Sequence, residues 1–113
     1  MIDGIISGKL LLAPKTMLNK RGTQYVIAKM QVYGWRGSAD LHGDIIAFDS
    51  SVCRDLLACQ KGAELSLCGI ITPLAEINHG QPETVLRITA KVLLHGYVFQ
   101  QQRGQGRLFS LMA

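Results

Sequence analysis

At 113 residues, with 48% hydrophobic and 18% charged side chains, the chain is long enough for one packed domain and too apolar for a disordered segment. Twelve Lys and Arg against eight Asp and Glu leave a formal charge of +4, a moderate excess that favours polyanionic partners without resembling a histone-like tail. Three cysteines, Cys53, Cys59 and Cys68, cannot all pair within one chain and show no CxxC spacing, which argues against a disulfide scaffold and a cysteine zinc site.

Ile2 to Leu12 reads as a first long strand, ended by Pro14 because proline has no N–H to give a ladder. Asn19-Lys20-Arg21-Gly22 then forms a basic turn. From Gln24 to Tyr33 the alternation is clean: Val26, Ala28, Met30 and Val32 point one way, Tyr25, Ile27, Lys29, Gln31 and Tyr33 the other. Gly34 to Gly43, with three glycines, Trp35 and Arg36, reads as a loop. Asp44 to Phe48 is a third strand, after which Ser50 or Ser51 caps a short helix over about Val52 to Gln60. Its Val52, Leu56 and Leu57 are expected to plug one end of a barrel.

Lys61-Gly62 stops the helix, and a fourth strand from Glu64 to Ile77, broken or unbroken at Pro73, carries the most informative feature of the chain. Leu65 and Leu67 alternate onto one face, and Gly69 lets the strand coil sharply where other backbone comes close. Asn78 to Pro82 is a turn. Glu83 to Leu94 is a fifth strand, with Val85, Arg87, Thr89 and Lys91 alternating against Leu86, Ile88, Ala90 and Val92. The stretch from Gln100 to Arg107 is polar and cannot bury enough to fold alone, so the expected division is a domain over 1–96 and a polar tail over 97–113. No apolar run is long enough for a spanning helix and the N-terminus lacks a basic signal region; a cytoplasmic protein without membrane contact is expected.

Five strands with a helix between the third and fourth is the layout of the OB-fold, an all-β Greek-key barrel. Gly8-Lys9-Leu10 with Pro14, Gly22 before an alternating strand, Ile45-Ile46-Ala47-Phe48 before the helix, and Lys61-Gly62 with Gly69 resemble, in order and nearly in spacing, the bacterial single-stranded DNA-binding protein family. That family includes the tail-less primosomal replication protein N branch. The resemblance covers about Ile2 to Leu94 and implies sequence-nonspecific binding of single-stranded DNA in replication, recombination or repair, with a homodimer or homotetramer as the working unit. It also implies base stacking on aromatics: Trp35, displaced by about one residue, Phe48 in the third strand, and His42 where the family carries an aromatic. The family's hairpin aromatic falls near Glu76 or Ile77, and its acidic, aromatic tail tip has no counterpart in Arg107 to Ala113, which puts tip-mediated recruitment of replication or recombination proteins in doubt.

The residues support the same chemistry with alternatives attached. Trp35 stacks on bases or packs on the barrel rim; Tyr33 and Tyr25 contact bases or fill a subunit interface; Phe48, continuing Ile45-Ile46, is either core or platform. Lys9, Lys20, Arg21, Lys29, Arg36, Arg87 and Lys91 neutralise phosphate or form an ordinary solvated surface. An enzyme is not expected, because His42, His79 and His95 form no HxxxH, Cys/His or Ser-His-Asp pattern; no metal or cofactor follows either. The competing class is a primosomal assembly factor that mainly binds proteins and holds single-stranded DNA weakly. A homodimer is expected around the first strand, whose edge is free to pair with its symmetry mate.

Overall fold

The computed structural model describes residues 2–34 and 41–94. The strands are β1 (Ile2–Leu10), β2 (Lys15–Leu18), β3 (Gln24–Val32), β4 (Leu41–Ala47), β5 (Glu64–Asn78) and β6 (Gln81–Leu94), with one helix, α1 (Ser50–Leu57), between β4 and β5. They form one sheet in the order β1-β5-β6-β4-β3-β2, and an additional β1–β3 pairing closes five strands into a ring. All neighbours run antiparallel except β4 and β6, which are parallel. This is the five-stranded OB barrel with its helix between the third and fourth barrel strands.

The strand expected to end at Pro14 is one bent strand in two pieces. Leu10 donates its N–H to Ala63, Leu11 donates to Lys29, and the chain then resumes pairing on β3, with Lys15 opposite Ile27 and Leu18 opposite Gln24. Proline removes one donor from the ladder, and the strand changes partner there instead of stopping.

Closure depends on glycines at two close approaches. A side chain at Gly69 would run into the Thr89 carbonyl, and one at Gly8 into the Gln31 carbonyl. The β5–β6 register slips between Cys68 and Gly69, so that Cys68 faces Val92 while Gly69 faces Ala90 and Lys91 is left over. This bulge explains why the expected alternation of β6 fails: Ala90 and Leu93 are both buried while Val92 is exposed, because the extra residue exchanges the faces. Val85 is also buried, against expectation.

The interior is filled by Leu10, Val26, Met30, Ile45, Leu67 and Ile88, with Val52 and Leu56 of α1 closing it from one end. Leu57, expected to join them, is exposed, since it lies about 100° around the helix from Leu56. The helix cap is Asp49 and not Ser50 or Ser51, and the helix ends at Leu57, short of Gln60. β5 runs through Pro73 without a break. Trp35, Arg36, His95 and the expected tail over 97–113 lie outside the described residues.

Candidate nucleic-acid interface

The alternation of β3 buries Val26, Ala28, Met30 and Val32 and turns Tyr25, Ile27, Lys29 and Gln31 outward. Neighbouring strands add to each of these positions by register, so the outer face is built in cross-strand rows. Met17, Tyr25 and Phe48 form an aromatic end. Next come Lys15, Ile27, Ile46 and Thr89, an aliphatic pair with a lysine at one side. Then Lys29, Asp44 and Arg87 stand side by side, and after them Gln31 and His42 lead to the β5–β6 hairpin.

Phe48 is 54% exposed, which rules out the core reading. Ala47 before it is fully buried and Asp49 after it caps the helix, so the chain turns from strand to helix with the Phe48 ring thrown outward. Its centroid lies 5.9 Å from that of Tyr25 at an interplanar angle of 39°, a tilted pair. Asp49 fixes this corner by accepting from the Ser51 N–H at 2.9 Å and the Ser51 hydroxyl at 2.6 Å. Those hydrogen bonds, the Ser51 side chain foremost, hold its carboxyl below the usual carboxylate range.

Charge is graded along the face. Lys29 Nζ lies 3.5 Å from Asp44 Oδ1, with both side chains largely solvated, an ion pair of little energetic weight. At the hairpin end the sign reverses: His42 Nδ1 lies 3.0 Å from Glu83 Oε1, and Glu83 stands directly across from Glu76.

The residues expected to bind nucleic acid therefore divide. Tyr25, Phe48, Lys29 and Arg87 share one face, with Lys20 and Arg21 in the exposed β2–β3 turn beyond its aromatic end. Tyr33 is elsewhere: its backbone N–H donates to Ser7 and its hydroxyl to Glu64 Oε2 at 2.6 Å, on the side of the barrel where Lys9 pairs with Glu64 in register. Lys91 stands at the bulge beside Asp3, Ile5 and Cys68, and its charge reaches Asp49. His42 is exposed but engaged with Glu83. Sequence reasoning passed over Lys15, Ile46 and Asp44; Lys15 would have been found by letting the strand continue past Pro14.

Among the described residues no group of His, Cys, Asp and Glu is arranged to hold a metal, and no helix is long and apolar enough to cross a membrane. The three thiols are unpaired with one another; burial, with Asp55 nearby, raises the pKa of Cys59 above its ordinary value.

No family profile and no curated protein matches the sequence. Solved structures do. A small single-stranded DNA-binding protein from Streptomyces coelicolor is similar with a TM-score of 0.65 at 17% identity, over 83% of this chain and 93% of that one. The mitochondrial single-stranded DNA-binding protein of S. cerevisiae gives 0.60 at 15% identity, over 83% and 94%. The Plasmodium falciparum single-stranded DNA-binding protein, in complex with single-stranded DNA, gives 0.58 at 13% identity, over 83% and 95%. At these identities the likeness establishes the fold, and the neighbours named are all single-stranded DNA-binding proteins, as the sequence resemblance led one to expect.

Proposed function

We propose that the chain binds single-stranded DNA without marked sequence preference, in replication, recombination or repair. The observation that carries this reading is the ring pair of exposed Phe48 and half-buried Tyr25 at the end of a sheet face lined by Lys15, Lys29 and Arg87. Every base offers a π-face, so solvent-facing rings hold unpaired bases of any sequence, and cations beside them neutralise the phosphates between. A duplex keeps its bases stacked on one another and offers these rings nothing. The neighbours' single-stranded DNA binding supports the same reading.

Self-association fits the same role. Among the described residues β1 pairs with β3 only over Gly8–Leu10, so one edge of Ile2–Ile6 has no strand beside it, and Ile5 and Val92 are exposed on the outer face nearby. A two-fold contact there covers both and lengthens the DNA path.

Fluorescence anisotropy with a labelled single strand and the duplex of equal length, at matched salt, tests the main reading. Tighter binding of the single strand is expected; equal or tighter binding of the duplex overturns it. Light scattering tests association: a mass that stays near 12.4 kDa as concentration rises refutes the dimer.

A further inference from the structure

The binding face contains one feature that phosphate neutralisation does not call for: a carboxylate, Asp44, in its most cationic row. A cavity of about 460 Å³ opens beside it between the β1–β2 bend and strands β3 and β4, lined by Leu12, Lys15, Ile27, Lys29, Ile46 and Arg87 together with Asp44. Its volume falls within the roughly 300–1,000 Å³ typical of small-molecule sites. Ile27 and Ile46 are cross-strand partners and give it an apolar floor. Lys29, Asp44 and Arg87 form one wall as donor, acceptor and donor.

We propose that this cavity takes one base of the bound strand and that Asp44 accepts a hydrogen bond from its exocyclic amino group, so that cytosine is favoured over thymine at this one position. The inference rests on the single-stranded DNA reading above and refines it. An aliphatic floor accepts the flat face of any base, as an aromatic does, and therefore selects nothing. Selection comes from the wall. Cytosine carries an N4 amino donor next to the N3 acceptor, and an ionised carboxylate beside an ammonium group presents the complementary acceptor and donor. Lys29 Nζ, 3.5 Å from Asp44 Oδ1, is close enough for the two groups to address adjacent atoms of one base edge. Thymine puts a carbonyl oxygen where cytosine puts the amino group, and facing Asp44 that oxygen meets a like partial charge.

A role limited to pairing with Lys29 predicts a different outcome. The Asp44 side chain is 41% exposed, so its removal is compatible with folding, and a mere surface ion pair leaves base preference untouched. In a readout role, Asp44→Ala lowers affinity for cytosine and, by removing a negative charge from the phosphate track, preserves or raises affinity for thymine.

The test measures binding of oligo-dC and oligo-dT of equal length by the whole chain and by Asp44→Ala and Asp44→Asn, at mildly alkaline pH and matched salt. The dC-to-dT affinity ratio is expected to fall ~5-fold in Asp44→Ala, the low end for a specific base contact, and by less in Asp44→Asn, which keeps one acceptor oxygen. As a readout needing no variant, oligo-dC with N4,N4-dimethylated cytosines should lose the same ~5-fold preference relative to oligo-dT on the wild type. A ratio unchanged within about twofold in Asp44→Ala, with both polymers still bound, overturns the base-edge contact alone. Failure of wild type to bind either polymer overturns this inference together with the single-stranded DNA reading.

Discussion

Replacing Phe48 with Leu separates a stacking platform from a packing residue, because the two roles draw on different parts of the ring. Phe48 is 54% exposed and its described ring neighbour is Tyr25, at 5.9 Å. Leucine keeps most of the aliphatic contact and loses the aromatic pair, worth ~0.5–1.5 kcal/mol beyond buried area. For a domain of this size that lowers Tm by no more than about 10 °C. A base stacked on an aromatic is worth ~1–3 kcal/mol by alanine substitution, and leucine retains some dispersion with it, so a loss of ~1–2 kcal/mol is expected. That is roughly a 5- to 25-fold rise in Kd. Anisotropy with labelled oligo-dT gives the Kd and thermal denaturation the Tm of the same sample. Ile88→Ala provides the contrast: Ile88 is fully buried, so the change should cost ~2–5 kcal/mol of stability and leave Kd unchanged in the folded fraction. If Phe48→Leu binds within about twofold of wild type yet melts far below it, the ring is structural and the stacking argument fails.

Salt titrations test the cationic row: Lys29→Ala and Arg87→Ala should each reduce the slope of log K against log salt by ~0.7 on a single strand. Lys91→Ala, at the bulge and outside the Lys29–Asp44–Arg87 row, should leave that slope unchanged; equal effects at all three positions would mean diffuse charge and no track. Gly69→Ala forces a methyl group against the Thr89 carbonyl and should lower the urea midpoint by the equivalent of ~1–3 kcal/mol; wild-type stability would show that the closure is not tight there. Asp49→Ala should lower Tm at neutral pH. Because the folded pKa of Asp49 is depressed, its contribution is complete above the unfolded value of ~3.9 and disappears as pH falls through the folded value. The Tm gap between wild type and variant should therefore narrow only in acid, and a gap that narrows between neutrality and mild acid would contradict the cap.

Much of this barrel was legible because alternation reports burial directly. The inward set Val26, Ala28, Met30 and Val32 could be read from a two-residue period, and Gly69 from its place in an otherwise apolar strand. The failures occurred where local chemistry was overruled by pairing. Pro14 looked like an ending because it withholds one donor, yet β3 had further positions to pair and the chain continued on them. The phase of β6 changed at Lys91 because a bulge adds one residue; Gly69 marks the place on the opposite strand, but nothing within β6 itself announces it. Ser50 and Ser51 looked like caps, but Asp49 reaches two N–H groups of the first turn and Ser51 spends its hydroxyl on that same carboxylate.

The candidate site was less legible than the fold, because a site on a sheet is a property of rows and the sequence displays only columns. Tyr25 and Tyr33 lie on the same strand path eight residues apart and read alike as outward aromatics. Register sends them to different places: Tyr25 meets Phe48 across the sheet, whereas Tyr33 is tied to Ser7 and Glu64 where β1 closes the ring. The same logic explains the charge pattern. Lys29 and Arg87 are 58 positions apart in sequence and become neighbours only because Asp44 pairs with both of their strands. At the hairpin, Glu76 and Glu83 face each other and His42 is already engaged, so a phosphate moving along the face meets favourable potential at Lys15, Lys29 and Arg87 and unfavourable potential beyond them. If the chain binds single-stranded DNA as proposed, this gradient predicts a path across the β3–β4 face toward the Phe48 end and away from the β5–β6 tip.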